Sequence, residues 1–339
     1  MRLIQAIGGA RHGGAEGFFL RLAMALRRAG QDQLVLLRHA EHAATLRRAG
    51  VEVRELPFGG LLDRATAAGF RRAVAEYRPD IVLTWMSRAS RLCPDGDFVH
   101  VARLGGPYDL KSYRGCDHLV FNTRDLVASF IARGWPAERA HYLPNFVDAA
   151  PAPPVARETL GTPGGVKLAL ALGRLHENKG FDVLLAALAE VPDLHLWLAG
   201  EGTLRRALDT QAAALGISAR VRFLGWRDDV AGLLAAADFL VCPSRREPLG
   251  NVVIEAWASG RAVLAAAAAG PSELIGDGES GLLVPVDDAQ SLAAALRRLA
   301  SDPSLRARLA AAGHAAYLAE FTEASVVRRY QEFFAAVAR

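Results

Sequence analysis

The 339-residue chain has few cysteines, few lysines and no long apolar run, and each shortage removes a class of protein. Three cysteines, Cys93, Cys116 and Cys242, are too few and too scattered for a disulfide framework or a zinc site, so they read as reduced, mostly buried thiols. No apolar stretch reaches the roughly 18 to 20 residues that a membrane-spanning helix requires. Met1 and Arg2 run straight into LIQAIGG, which is too short for the apolar centre of a signal peptide. The expectation is a soluble, cytoplasmic protein. A formal net charge of +4 is a mild excess that suits a phosphorylated substrate or an anionic membrane surface. Nucleic acid is not expected, because no basic run is interleaved with aromatics. The pairs Arg27-Arg28, Arg47-Arg48 and Arg297-Arg298 instead end helical patterns, where cations complement the helix dipole. Lysine occurs only at 111, 167 and 179. In so arginine-rich a chain, a lysine hints at a need for a compact point charge.

What is present is alternation. Hydrophobic residues make up 51% of the chain, enough for two domains with separate cores. In the first half, strand-like runs at 3–9, 32–39, 51–58, 80–86, 98–106, 117–123 and 140–148 alternate with helical stretches, among them one from Arg64 to Tyr77. A Pro- and Gly-rich segment, PAPPVARETLGTPGG at 151–165, follows without periodicity and reads as a linker. A second round of strand and helix begins with VKLALALG at 166–173. Strand–helix alternation of this kind implies parallel sheets covered on both faces. The fold expected is α/β, with two doubly wound Rossmann-like parallel-sheet domains facing a cleft. The first covers 1–150, the second 151–320, and a terminal amphipathic helix at 321–339 crosses back to the first.

The second half centres on DFLVCPSRREPLGNVVIEAWASG, residues 238–260. It reads as a buried strand, a polar loop and a helix opening near Leu249 or Gly250. Such a helix mouth presents the backbone N–H groups of Gly250, Asn251 and Val252 and a partial positive charge, the makings of an anion site. Glu247 precedes the helix and Glu255 lies about one turn inside it, on the face of Asn251. Two readings stay open on the residues alone: carboxylates that accept hydrogen bonds from sugar hydroxyls on either side of a bound anion, or a solvated loop residue and an acid that favours an early helical turn. The glycines of GGARHGGAE, 8–16, do not fall in the GxGxxG spacing, and Asp32 opens the second strand where a dinucleotide-binding acid should close it, so NAD binding is not expected.

Two glutamates separated by seven residues, in REPLGNVVIEA after a strand ending in PS, resemble the signature of the retaining glycosyltransferases of family four, which have the GT-B fold. The resemblance implies that Glu247 faces the donor sugar, Glu255 holds the ribose hydroxyls, and the backbone from Leu249 to Val252 holds the diphosphate. In GRLHENKGFD, 173–182, it implies that Arg174 and Lys179 neutralise that diphosphate beside a flexible Gly180. Gly200 in GEG, and Trp226 and Arg227 in FLGWRDDV, are similar to the wall around the nucleotide base. Gly270 to Leu274 resembles a donor-sugar loop. In the first half, Gly13 and Gly14 resemble the turn that lies under the donor's phosphate and lines the acceptor side, where they let the backbone approach closely. Where many members carry a His-Gly pair, this chain has Arg103-Leu104-Gly105-Gly106, with Gly105 bringing backbone to the sugar and Tyr108, Lys111 and Tyr113 expected as an acceptor wall. His100 reads as a core histidine.

The activity implied is transfer of a sugar from a nucleotide-diphosphate sugar, with a UDP-sugar as the expected donor, to a glycan or glycolipid hydroxyl, with retention. No metal and no separate cofactor are expected. The setting expected is bacterial surface glycan or lipopolysaccharide assembly, with peripheral contact at the inner membrane. Two further classes share the architecture: a catalytically silent sugar-nucleotide binding protein, and a GT-B sugar-phosphate phosphorylase or epimerase.

Overall fold

The computed structural model describes residues 1–11, 13–59, 63–147 and 150–338. Among them the chain divides into two units, Met1–Phe146 with Glu323–Arg339, and Val147–Thr322. The first holds seven strands, β1 (Arg2–Ile7), β2 (Asp32–Leu37), β3 (Glu52–Glu55), β4 (Ile81–Trp85), β5 (Val99–Leu104), β6 (His118–Phe121) and β7 (Ala140–Tyr142). They pair in parallel in the order β3-β2-β1-β4-β5-β6-β7. The last run expected at 140–148 is a strand only over Ala140–Tyr142, and its final residue, Asp148, lies outside the described residues, as does His12 of the glycine-rich turn. The second unit holds β8 (Lys167–Leu172), β9 (Leu194–Ala199), β10 (Val221–Gly225), β11 (Phe239–Cys242), β12 (Ala262–Ala266) and β13 (Leu282–Val284), in the parallel order β10-β9-β8-β11-β12-β13.

Both sheets are buried on both faces, and the period-two alternation of strand side chains decides which core each residue joins. In β1, Leu3 and Ile7 pack with Phe18, Phe19, Leu22 and Leu26 of the following helix, whereas Ile4 and Ala6 pack with Phe70, Ala73 and Tyr77 on the opposite face. In β8, Ala169 and Ala171 meet Leu184, Leu188 and Leu296, and Leu168 and Leu170 meet Leu233, Ile254 and Trp257. The final helix, Glu323–Val337, places Val326, Tyr330 and Phe334 in the core of the first unit beside Phe18.

A cationic side chain is buried against that core. Arg103 is 3% exposed, and its guanidinium lies 4.7 Å from the Phe18 ring centroid and 4.6 Å from that of Trp85. It donates to the Tyr330 hydroxyl at 3.0 Å and to Asn145 Oδ1. Aromatic faces and two oxygens replace its water shell, so a cation that would be costly to bury alone is tolerated. Arg103 therefore fastens the last helix.

Candidate functional site

In an open parallel sheet, ligands bind beyond the carboxyl ends of the strands where the strand order reverses. In the second unit that point lies between β8 and β11, and the loops leaving those two strands carry Arg174, Lys179 and Glu247. Lys179 Nζ and Glu247 Oε2 form an ion pair at 2.5 Å, with the two side chains 22% and 13% exposed. The Ser244 hydroxyl donates to the same Oε2 at 3.3 Å. Arg174 is exposed and, among the described residues, makes no hydrogen bond or ion pair. The helix that follows, Asn251–Ala258, is entered through Gly250 at φ 87 and has no side-chain cap, as befits a helix start whose first N–H groups lack intrahelical partners. Leu249 is buried just before it, and Glu255 lies one turn in.

Backbone packing holds these loops in place. A side chain on Gly180 would meet the Pro243 carbonyl oxygen at 2.1 Å, one on Gly200 the Gly173 oxygen at 1.9 Å, and one on Gly270 the Glu247 oxygen at 2.7 Å. Gly180 is thus a close-packing residue at φ 63 and not the flexible hinge expected beside Lys179. Gly200 N–H donates to the Gly225 oxygen at 2.7 Å, and Gly270 N–H to the Glu247 oxygen at 2.8 Å. The 270–274 stretch, expected as a loop, lies within a short helix, Ala269–Leu274, whose start touches the Glu247 loop.

Two residues absent from the sequence reading complete this frame. Arg245 grips Asp182 with two bonds, at 2.8 and 2.6 Å, and reaches Asp287 at 2.5 Å and the Glu177 carbonyl at 2.8 Å. Hydrogen bonding from Arg245 holds the Asp182 carboxyl below its ordinary range. The spacing of Arg245 from Asp182 in sequence carries no signal that they meet. At its far end the site helix is anchored by Trp257, whose Nε1 donates to the Ser280 oxygen at 3.0 Å, and a methyl at Gly313 would fall 2.2 Å from that ring. Burial pushes the Cys242 thiol up to about 11, so it stays protonated and serves as packing.

Beyond β10, Trp226 is 68% exposed and its Nε1 donates to Asp228 at 3.0 Å, while Arg227 is closed on Asp229 at 2.5 Å. The glycines of the first unit lie at the carboxyl ends of its own strands, Gly13 and Gly14 after β1 and Gly105 after β5. The Glu16 carboxylate folds back into the first of these loops and accepts from the Ala10 N–H at 2.8 Å. A side chain on Gly9 or Gly13 would strike that carboxylate, at 2.4 and 2.3 Å. Gly13 is therefore crowded by its own chain.

Met86 and Phe58 near this loop adopt φ of 60 and 41, a conformation uncommon outside glycine, and Arg88 ties the Gly8 and Phe58 carbonyls together at 3.3 and 3.1 Å. Beside Gly105, the buried Asn122 Oδ1 has no hydrogen-bond partner among the described residues.

One expectation for the first unit is corrected. Tyr113 is fully buried and cannot form an acceptor wall, because it packs with Leu119 and Phe121. Arg103, placed where a sugar-facing His-Gly pair was sought, points into the core. His100 is buried, bonded to Thr84 at 3.0 Å, and held down to about 4 by desolvation, as befits a core histidine. An Asp-x-Asp sequence, Asp95 and Asp97, sits at the amino end of β5 in the first unit, whereas the glutamates belong to the second. No cluster of three metal-ligating side chains occurs among the described residues. No helix among them is long and apolar enough to cross a membrane.

Two parallel sheets of six and seven strands, with charged loops at a switch point, define the GT-B class of glycosyltransferases. Residues 154–315 match the family described as "Glycosyl transferases group 1", and 12–150 match "Glycosyltransferase Family 4". The chain is 36% identical over 330 residues to the lipopolysaccharide core biosynthesis glycosyltransferase LpsE of Rhizobium meliloti, covering 96% of each chain. It is also 36% identical to LpsD of the same organism over 95% of each. Anabaena HepE, solved in complex with UDP, superposes with a TM-score of 0.88 at 23% identity, over 99% of this chain and 100% of that one. The chain belongs to the family 4, group 1 glycosyltransferases and is an enzyme of that kind.

Proposed function

We propose that the enzyme transfers a sugar from a UDP-sugar to a hydroxyl of a lipopolysaccharide core saccharide, with retention at the anomeric carbon and without a metal. The observation that carries this reading is the pairing of Lys179 with Glu247 beside an unpaired Arg174, at the open mouth of the helix that begins at Asn251. A diphosphate arriving there would draw Lys179 away from Glu247, so that cation and carboxylate part and each acquires its own task. Lys179, Arg174 and the backbone N–H groups at Gly250 to Val252 would take up the charge that collects on the leaving diphosphate, each charge-assisted bond contributing about 1.5 to 3 kcal/mol. Glu247, freed, would face the donor sugar, and Glu255 the ribose. Gly200, Trp226 and Arg227 would border the base; Arg227 would first have to leave Asp229.

Gly13, Gly14 and Gly105 are assigned to the acceptor side, in a first domain of 1–150. The donor belongs to the second domain, 151–320, and 321–339 to a helix returning to the first. The names of LpsE and LpsD support the lipopolysaccharide core as acceptor, and the UDP held by HepE supports the donor class. A glycolipid acceptor also suits a peripheral position at the inner face of the membrane.

The test is to incubate the protein with UDP-, GDP- and ADP-sugars and a core saccharide in the presence of EDTA, and to read the anomeric configuration of the product by NMR. Retention of the donor's configuration in EDTA is expected. Inversion, or activity that needs an added divalent ion, would overturn the reading.

A further inference from the structure

A hollow of about 420 Å³ opens in the first unit, lined in part by Phe98, His100 and Asp117 at the amino ends of β5 and β6. The glycines assigned to the acceptor lie at the opposite, carboxyl end of the same parallel sheet, after β1 and β5. The volume falls within the roughly 300 to 1,000 Å³ usual for small-molecule sites. Three cations line it: Arg91 from the helix Met86–Leu92, and Lys111 and Arg114 from the turn between β5 and β6. None of the three makes a side-chain hydrogen bond or an ion pair among the described residues. Several other arginines close on carboxylates, as at Arg11, Arg28, Arg54 and Arg245. Lys111 is also one of only three lysines.

The rest of the lining is mostly polar. Ser112 and Asp95 reach the hollow with side chains that bond nothing else among the described residues. Asp117 is partly engaged, since its Oδ2 accepts the His100 N–H at 2.8 Å. His100 is neutral, and Cys93, Pro94 and Phe98 supply the apolar contacts. Three cations lining one hollow suit a phosphate, and a hydroxyl with carboxylates suits the hydroxyl groups of a sugar. A lipid tail would find little apolar surface here.

We infer that this hollow is a second saccharide site, one that takes a phosphorylated sugar, with the phosphate among Arg91, Lys111 and Arg114 and the sugar hydroxyls on Ser112 and Asp95. The hollow is lined by residues of the first unit alone and does not depend on the roles proposed for the donor loops.

Calorimetry on the full chain carrying Arg174→Ala and Lys179→Ala tests this without phosphate binding at the donor loops. Glucose 6-phosphate is expected to bind saturably, inorganic phosphate more weakly, and glucose not at all. Lys111→Gln should weaken glucose 6-phosphate about tenfold, and Arg91→Gln with Lys111→Gln about a hundredfold. Absence of saturable binding, or equal binding by the double variant, overturns the site. A second readout needs no lining variant: amide shifts on titration should centre on Ser112 and Gly115, and shifts confined elsewhere also overturn it. Phosphatidylglycerol vesicles should leave the binding unchanged; competition by them would assign the phosphate to a lipid headgroup and overturn the soluble ligand.

Discussion

The two sheets share one winding pattern, yet their switch points are filled in opposite ways. In the first unit the glycine-rich loop after β1 already holds an anion of its own, the Glu16 carboxylate on the Ala10 N–H. In the second unit the loop after β8 presents Arg174, without a partner among the described residues, and Lys179 paired with Glu247. A loop that carries its own carboxylate has no use for an external phosphate, whereas one with spare positive charge invites it. The same topology thus places a carboxylate in the loop at one switch point and cations in the loop at the other.

The sharpest way to break that contrast is Lys179→Ala. It should lower kcat/KM on the order of a hundredfold or more, as loss of a preorganised charge does, and weaken nucleotide-diphosphate binding far more than nucleoside binding. Equal losses for the two ligands would remove its assigned role.

Acidification should next separate the units. His100 and His141, both in the first, are held down to about 4 from an ordinary 6.5, in each case chiefly by desolvation. Their folded pKa values lie below the unfolded ones, so the unfolded chain binds more protons in between. Stability is then lost as pH falls from 6.5 towards 4, by about 3 kcal/mol for the well-buried His100 and less for the half-exposed His141. In the second unit the lowered carboxyl of Asp182 is lost only below its ordinary 3.8, although the more exposed His195 shifts in the same sense as the others. Hydrogen exchange at pH 5 should therefore find the first unit opening before the second, and the reverse order would refute the assignment.

Glu16→Ala should cost about 2 kcal/mol in urea denaturation by stranding the Ala10 N–H in a half-buried loop. It would also open the first cradle, so that inorganic phosphate binding gained there would sharpen the comparison. The smallest effect is expected for Trp226→Ala, which should change stability by about 0.5 kcal/mol or less and raise KM for the donor a few-fold.

Much of this was legible in the residues. Each apolar run that alternates with a helical pattern became a strand, because burial on both faces leaves a near-continuous hydrophobic stretch that is hard to mistake. Gly250 and the two glutamates were readable because a helix start and its acids are local in sequence. Arg245 with Asp182, Arg103 with Tyr330, and Tyr113 in the core were not, since each depends on residues far apart in the chain. Lys111 was noticed for its rarity and expected in an acceptor wall, but the run of the turn between β5 and β6 places it in the hollow.

By itself, then, the amino-acid order determined the two rounds of strand and helix, the family, and the candidates for the donor loops, because these rest on periodicity and short spacings. Only the tertiary structure decided that Lys179 rests on Glu247, that Glu16 fills the first cradle, and that Arg103 is a buried fastener. Whether a charge is paired, buried or free is a property of its neighbours in space, and those neighbours are brought together only when the sheets form.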